Sequence, residues 1–297
     1  MNDQRLHVID GTYELYRAHF SKRPSHEATL GKKRVDVKGT LGVVSSLLAL
    51  LGDKSESVTH IAVAFDNPIR SFRNDLFDEY KSDEGVPPEL RVQFDWVEEA
   101  VRALGVTVWS MDRFEADDAL ATATVKYRSA FSQIRIMTPD KDLGQCVTGD
   151  RVVQVDRMRE KLLDEAAVTE KMGVPPASIP DLLGLVGDSA DGIPGLAGFG
   201  AKSAGKLLTE YGTIEQIPTK FTDWRVKIVG AERLSRTLEA ERAEALLYKR
   251  LATLAFDVPL KESAEDLRYR GADRSAWSAM CEKFEAPRLV ERALFRN

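Results

Sequence analysis

The chain has 297 residues, enough to bury a hydrophobic core, and 43% of them are hydrophobic against 30% charged. These proportions lie near the averages for globular proteins and exclude disordered, fibrous and low-complexity classes. The longest apolar run, residues 41–52, is shorter than the roughly 18 residues needed to cross a bilayer. No membrane partner is therefore expected.

Charge and cysteine usage narrow the choice of partner and of metal ligand. The formal net charge is −5, whereas nucleic-acid-binding proteins usually carry a basic excess. Two bound divalent cations would offset about four negative charges. Whether a nucleic-acid partner fits this chain therefore depends on whether the acids cluster around such cations. Two cysteines and four histidines build neither a disulfide framework nor a zinc cage, so a metal would use oxygen ligands. The first residues contain no secretory signal, which predicts a cytoplasmic protein.

Short apolar runs alternate with amphipathic stretches over the first half of the chain, as in β-α-β units around a mostly parallel sheet. The predicted strands cover residues 6–10, 60–66, 106–110, 134–140 and 152–156, and the predicted helices cover residues 40–51, 88–104 and 115–131. Beyond about residue 165 the pattern is mostly helical, for example over residues 232–255. A Gly-Val-Pro-Pro breaker predicts an α/β domain over residues 1–173 and a helical domain over residues 174–297.

The segment after the second predicted strand, residues 67–88, is long for a link between a strand and a helix. A loop of this length is usually functional or mobile. Its Phe72, Phe77 and Tyr80 suit stacking on unpaired bases. Packing of Phe72 and Phe77 against the core explains these two aromatics equally well, so both interpretations stay open.

Carboxylates recur where three predicted strands end. Asp10, Asp66 and Asp140 stand at these carboxyl ends, where parallel sheets bind ligands. Glu115 and Asp118 open a predicted helix and share one face of it. Each acid alone fits a helix cap or a turn. A cluster of them would be repulsive without cations, and the hard ions Mg²⁺ and Mn²⁺ prefer oxygen ligands.

A glycine-rich turn carries two more acids, Asp188 and Asp191, and leads into a predicted amphipathic helix with Lys202 and Lys206. Glycines allow backbone N–H groups at a helix N-terminus to approach a phosphate closely. A phosphate loop of the nucleotide-hydrolase type is the alternative, but its Gly-x-x-x-x-Gly-Lys-Ser/Thr spacing is absent. The turn therefore favours a backbone clamp for nucleic-acid phosphates.

Six motifs follow one another along residues 8–255. In order, they are Val-Ile-Asp-Gly at 8–11 with Leu-Tyr-Arg-Ala at 15–18, Ala-Phe-Asp at 64–66, Phe-Arg at 72–73 with Tyr-Lys at 80–81, Glu-Ala-Asp-Asp at 115–118, Thr-Pro-Asp-Lys-Asp at 138–142, and Gly-Asp through Gly at 187–195. One of them arises easily by chance, but six in order do not. The set resembles the 5′ nuclease family, which comprises the 5′-3′ exonuclease domain of bacterial DNA polymerase I, phage 5′ nucleases and flap endonucleases.

The resemblance implies a structure-specific 5′-3′ exonuclease and flap endonuclease that hydrolyses DNA near single-strand/double-strand junctions in replication and repair. It implies an α/β core with a mostly parallel central sheet flanked by helices, a helical arch at about residues 67–92, and a helix-hairpin at about residues 187–212. The implied form is a stand-alone nuclease, since no polymerase sequence follows. Partners would be DNA with 5′ flaps, nicks or 5′ ends, and RNA–DNA primers, met by a monomer at the bacterial nucleoid.

The resemblance also implies ligands and contact residues. Two or more Mg²⁺ or Mn²⁺ ions would be held by nine acids: Asp10, Asp66, Glu115, Asp117, Asp118, Asp140, Asp142, Asp188 and Asp191. The first ion would lie mainly among the acids from Asp10 to Asp117, and the second among those from Asp140 to Asp191. Arg17 and Lys81 would be catalytic groups at the scissile phosphate, and K⁺ would bind at the hairpin. The predicted DNA-binding residues are Arg17, Arg73, Tyr80, Lys81, Gly198, Gly200, Lys202 and Ser203.

One position departs from the family pattern. Polymerase-type relatives usually carry an arginine three residues after the arch lysine, where this chain has Glu84. A carboxylate there cannot contact phosphate favourably. We therefore expect Glu84 to alter the balance between exonuclease and endonuclease action and to leave the metal site unchanged.

Two other functions are weighed against the nuclease. A catalytically silent DNA-structure binder is disfavoured because a complete set of like charges is costly without bound cations. A metal-dependent ribonuclease with a small single domain is disfavoured because it would need neither the long arch segment nor the hairpin.

Overall fold

The computed structural model describes residues 4–296 and divides them into two compact units. Within this range the first unit comprises residues up to 70, residues 83–138 and residues from 256 onward. The second unit comprises residues 71–82 and 139–255. These units are defined by contacts in space, and the predicted boundary along the chain after residue 173 stays a prediction.

The first unit is built on a parallel sheet, with a separate antiparallel pair of strands. The strands of this unit are β1 (Arg5–Asp10), β2 (Glu27–Leu30), β3 (Lys33–Asp36), β4 (His60–Asp66), β5 (Thr107–Met111) and β6 (Gln133–Met137). Strand β1 pairs in parallel with β4 and β6, and β5 pairs in parallel with β4. The apolar runs of β1 and β4 are almost completely buried, as expected of strands covered on both faces. The prediction missed the antiparallel pair β2 and β3, whose charged residues give little strand signal.

The helices follow the predicted amphipathic stretches with two breaks. They are α1 (Gly11–His19), α2 (Lys38–Gly52), α3 (Pro88–Arg91), α4 (Gln93–Ala103), α5 (Ala116–Lys126), α6 (Glu165–Met172), α7 (Ile179–Val186), α8 (Ala201–Tyr211), α9 (Ala231–Ala240), α10 (Arg242–Ala252) and α11 (Arg274–Lys283). The predicted helix over residues 88–104 is two helices, and so is the one over residues 232–255, because Glu241 leaves the helical conformation. Within the described range, no helix is both long and apolar enough to span a bilayer.

The predicted helical arch, residues 67–92, is mostly irregular in this structure. Helix is limited there to a short 3-10 turn, Phe72–Asp75, and to α3. Ser71 begins the turn with a capping box, since its backbone N–H donates to Asn74 Oδ1 at 2.9 Å. The segment is therefore only partly helical in this structure, and its role as a helical arch stays a prediction.

The second unit is mostly helical, as predicted, beside the antiparallel strands β7 (Val152–Asp156) and β8 (Lys161–Leu163). Its apolar core includes Leu183 of α7, Leu207 of α8 and Leu238 of α9, all nearly or fully buried. Helices α7 and α10 approach closely at Gly184, where a Cβ atom would lie 2.8 Å from the Ala245 carbonyl oxygen. A larger residue at position 184 would force these helices apart.

Candidate functional site

In the first unit, Asp10 stands at the junction of β1 and α1. It caps α1, since its Oδ1 accepts from the Tyr13 backbone N–H at 2.8 Å. Its Oδ2 accepts from the Thr138 hydroxyl at 3.1 Å. Both oxygens are thus oriented by the fold, and the carboxylate is nearly buried. Thr138 was not predicted as a site residue, although it belongs to one of the six motifs.

Asp66 ends β4, the strand beside β1, as predicted. Its backbone N–H donates to Thr12 Oγ1 at 2.8 Å, and its Oδ1 accepts from the Ala116 backbone N–H at 2.6 Å. The second bond ties the carboxyl end of β4 to the first turn of α5. The carboxyl end of the first unit's sheet is thus linked directly to the helix that carries the next acids.

The acids at the start of α5 combine capping with burial. The Glu115 backbone N–H donates to Asp118 Oδ2 at 3.0 Å, which forms one half of a capping box. Glu115 is nearly buried, Asp118 is fully buried and Asp117 is partly exposed. One oxygen of Asp118 therefore serves the helix cap, and the capping interpretation holds for this acid.

In the second unit, Asp140 and Asp142 flank the start of a 3-10 helix. Asp140 is exposed, and its Oδ1 accepts from the Asp142 backbone N–H at 2.9 Å. The predicted strand over residues 134–140 is too long, because β6 ends at Met137 and Pro139 cannot donate to a strand ladder. Asp140 therefore lies in the following turn and not at the end of the strand.

Three predicted ligands of the second unit converge. Asp142, Asp188 and Asp191 each offer a carboxylate oxygen, and these atoms all lie within 4.8 Å of one another. We call them the three-acid group. The loop carrying Asp188 and Asp191 is closed by two backbone hydrogen bonds between Asp188 and Ile193, both 2.8 Å long. This closure holds Asp188 and Asp191 on one short, fixed turn.

The three-acid group suits a hard cation. Asp142 Oδ1 is buried without a hydrogen-bond partner among residues 4–296. Burial, reinforced by the Asp140 carboxylate and by Asp191 and Asp188, raises the pKa of Asp142 well above its ordinary value. A divalent ion would supply the missing partner and additional positive charge. The donors present thus fit a divalent cation that prefers oxygen ligands.

Two lysines contact the same acids. Lys141 Nζ forms a short ion pair with Asp188 and lies 3.6 Å from Asp142 Oδ1, and Lys81 Nζ lies 3.0 Å from Asp191 Oδ1. Burial lowers the pKa of Lys141, but the Asp142 and Asp188 carboxylates outweigh that effect and leave the pKa above its ordinary value. Sequence reasoning gave Lys141 no role, although the residue stands between two predicted ligands.

Arg17 lies on α1 beside a buried acid. Its Nη2 pairs with the Glu14 carboxylate, and the same atom lies 3.3 Å from Ser46 Oγ. Glu14 is nearly buried, whereas 23% of the Arg17 side chain is exposed. The guanidinium is therefore positioned by Glu14 while keeping an exposed part. Glu14 also escaped the prediction, because a buried acid three residues before an arginine has no signal of its own.

The structure contradicts the prediction that Arg73 binds DNA. Arg73 is 1% exposed, and its guanidinium donates to the carbonyl oxygens of Leu251 at 2.7 Å and Thr253 at 2.9 Å. These carbonyls belong to the last turn and C-cap of α10. Arg73 thus satisfies helix-end acceptors inside the second unit.

The structure also contradicts the predicted role of Tyr80 in DNA binding. Tyr80 is 4% exposed and belongs to the apolar core of the second unit. Phe77 is partly buried against the same core, with its ring centroid 5.9 Å from that of Tyr248. Core packing, the alternative to base stacking, therefore describes Phe77 in this structure, and Tyr80 belongs to the same core.

The predicted helix-hairpin lies between α7 and α8. Gly198 has a φ of +87°, which favours glycine, and the Gly200 backbone N–H donates to Ser203 Oγ at 3.1 Å. Gly198, Gly200 and Lys202 are exposed. They line a groove of about 1440 Å³, whose charged residues are four lysines, Lys171, Lys202, Lys206 and Lys227, and two glutamates, Glu170 and Glu210. The predicted phosphate-binding residues thus line a basic groove.

Two family models together cover most of the chain. The 5′-3′ exonuclease N-terminal, resolvase-like domain matches residues 5–173, and the 5′-3′ exonuclease C-terminal SAM fold matches residues 174–275. The chain belongs to the 5′-3′ exonuclease family. The family inferred from the six motifs is thus confirmed.

The chain is similar to curated bacterial proteins over most of its length. DNA polymerase I of Bacillus caldotenax is 33% identical over 303 residues, covering 97% of this chain and 33% of that protein. The chain thus spans about a third of the length of the first relatives that it matches. A 5′-3′ exonuclease of Aquifex aeolicus is 29% identical over 288 residues, covering 96% of this chain and 94% of that protein.

Solved structures confirm the mixed α/β fold of the chain. Phage T5 5′-exonuclease with bound divalent zinc ions aligns with a TM-score of 0.64 at 18% identity, over 84% of this chain and 89% of that one. The catalytic core of Rad2 in complex with DNA substrate aligns with a TM-score of 0.60 at 14% identity, over 97% of this chain and 92% of that one.

Proposed function

We propose that this exonuclease is structure-specific: it removes nucleotides from 5′ ends and cuts 5′ flaps near single-strand/double-strand junctions during DNA replication and repair. The observation that carries the proposal is the three-acid group, whose oxygens lie within 4.8 Å of one another and include an unpartnered oxygen of Asp142 among the described residues. A DNA binder without catalysis would have no need of such a cation site.

The nine acids form two sets of oxygen ligands for two or more Mg²⁺ or Mn²⁺ ions. Asp10, Asp66, Glu115, Asp117 and Asp118 belong to the first unit, and Asp140, Asp142, Asp188 and Asp191 to the second. Bound divalent ions supply Lewis acidity to the attacking water and the leaving 3′ oxygen in such hydrolyses. Both sets are therefore required for cleavage.

Two cations of the chain serve the substrate phosphate. Arg17, positioned by Glu14, and Lys81, on the arch segment, neutralise charge that develops on the phosphoryl oxygens. Neither acts as acid or base. Lys81 pairs with Asp191 in this structure, so it must exchange this carboxylate for the phosphate when DNA binds.

The basic groove binds the phosphate backbone of duplex DNA behind the cut, with Gly198, Gly200 and Ser203 offering backbone and hydroxyl groups. Lys202→Ala is expected to weaken duplex binding equally for different sequences and to reduce the salt slope of log K by about 1. Fluorescence anisotropy titrations at several salt concentrations measure both quantities. The matched control is Lys220→Ala, an exposed lysine of the same unit outside the groove, and equal losses in both variants would contradict the role of the groove.

Glu84 weakens contact with the 5′ flap. The residue is exposed in the first unit, and its carboxylate repels phosphate. Glu84→Arg is expected to raise the affinity for flap DNA and to steepen the salt slope by about 1. Flap and blunt duplexes titrated in parallel show whether the gain is confined to the flap. Glu282→Arg, a charge reversal on exposed α11, controls for the change in net charge, and an equal gain there would contradict the proposal.

The proposed partners are DNA with 5′ flaps, nicks or 5′ ends and RNA–DNA primers, bound by a monomer in the bacterial cytoplasm at the nucleoid. The hairpin before α8 is proposed to bind K⁺ as well. Support comes from the family and from Rad2, a neighbour in complex with DNA substrate. Size-exclusion chromatography with light scattering tests the monomer.

The testing experiment compares a 5′-labelled flap duplex with its matched single strand in Mg²⁺, in Mn²⁺ and in chelator. We expect metal-dependent cuts near the junction and a preference for the flap. Tight flap binding without cutting in either metal would identify a silent binder. A matched RNA strand cut faster than the DNA would identify a ribonuclease.

A further inference from the structure

Each carboxylate of the three-acid group lies within ion-pair distance of a lysine in this structure. Lys141 contacts Asp188 and Asp142, and Lys81 contacts Asp191. Three carboxylates thus face two ammonium groups inside the second unit. These ammonium groups lie against the same acids that the proposed function assigns to a divalent ion.

Lys141 is built into this position by the chain. It stands between Asp140 and Asp142, and the Asp142 backbone N–H, at the start of the 3-10 helix, donates to Asp140 Oδ1. The Lys141 side chain remains 39% exposed. A lysine is a flexible four-carbon stem with a compact charge, so Lys141 can leave the acids for solvent without moving the backbone.

We propose that Lys141 is an internal counter-ion that competes with the divalent metal for Asp142 and Asp188. This inference rests on the proposed function, because it takes the three-acid group as a metal site. In metal-free protein the ammonium offsets the repulsion among the three carboxylates. When the metal binds, Lys141 gives up its contacts. The residue thus stabilises the metal-free form and lowers the affinity of the site for metal.

If Lys141 competes with the metal, replacing Lys141 with an uncharged residue raises the affinity for metal and lowers the stability of the metal-free protein. Lys141→Met removes the competing charge, so Mn²⁺ affinity at this site is expected to rise on the order of tenfold. The same variant leaves the acids without their counter-ion, so its unfolding midpoint in chelator is expected to fall by about 2–4 °C. Isothermal titration calorimetry with Mn²⁺ and thermal unfolding in chelator measure the two effects on the full chain.

Two further variants separate competition from general damage. Lys141→Arg keeps the charge and is expected to bind Mn²⁺ like the unaltered protein. Lys249 is a matched control in the same unit, with its Nζ 2.8 Å from Asp181 and 2.9 Å from Glu215. Lys249→Met is expected to lower the unfolding midpoint with and without Mn²⁺ and to leave Mn²⁺ affinity unchanged.

Failure of the inference is distinguishable from failure of the proposed function. Asp188→Asn is expected to remove one Mn²⁺ site from the calorimetric titration. If this variant binds Mn²⁺ as the unaltered protein does, the metal assignment itself is overturned. If Asp188→Asn loses the site while Lys141→Met binds Mn²⁺ no more tightly than the unaltered protein, only the competition is overturned.

Discussion

Asp10→Asn is expected to lower the rate of flap cleavage on the order of 10³-fold while the protein stays folded. The asparagine side-chain oxygen can still accept from the Tyr13 backbone N–H, because asparagine caps helices about as well as aspartate. What disappears is the negative charge that binds a cation at the end of β1. Single-turnover cleavage of a 5′-labelled flap duplex measures the effect.

A second helix cap provides the control for Asp10. Asp164 caps α6, and its Oδ1 accepts from the Ala167 backbone N–H at 2.8 Å. Asp164→Asn makes the same chemical change at a cap that is not a predicted ligand, so cleavage is expected to stay unchanged. Equal rates for Asp10→Asn and the unaltered protein would contradict the assignment of Asp10 to a metal.

Arg73→Ala is expected to destabilise the second unit by roughly 2–5 kcal/mol, because two buried carbonyl oxygens lose their donor. These are the Leu251 and Thr253 carbonyls at the end of α10. Since the guanidinium is buried, the affinity for DNA at a temperature where the variant is folded is expected to stay the same. Urea denaturation gives the loss of stability, and anisotropy gives the affinity.

The control for Arg73 is an arginine whose ion pair is exposed. Arg225 pairs with Glu210 at 2.8 Å, and 68% of its side chain is exposed. Arg225→Ala is expected to cost less than about 1 kcal/mol. If Arg73→Ala kept full stability and lost DNA affinity, the sequence-based prediction would be right and the structural assignment wrong.

The sequence predicted two strands correctly where an apolar run ended directly in an acid suited to a ligand site. The apolar runs that became β1 and β4 are buried on both faces, and each ends at the acid predicted to end it. The convergence of Asp142, Asp188 and Asp191 was predictable only through the family resemblance, because residues 46 to 49 positions apart have no local pattern that joins them.

Side-chain direction was not predictable in the same way. Arg73 and Tyr80 were predicted as DNA contacts from the family resemblance, but both side chains are buried in the second unit. Their partners, the carbonyls at the end of α10 and the core around α7, lie far away along the chain. Lys141 was overlooked because its role depends on Asp188, a partner brought close only by folding.

The most direct test of the account is a titration of flap cleavage with Mn²⁺ for the unaltered protein, Asp10→Asn and Asp188→Asn. Cutting near the junction is expected to require the metal, to stop in chelator and to be lost in both variants, one from each unit. Cutting that persists in chelator, or that either variant performs at the unaltered rate, would contradict it.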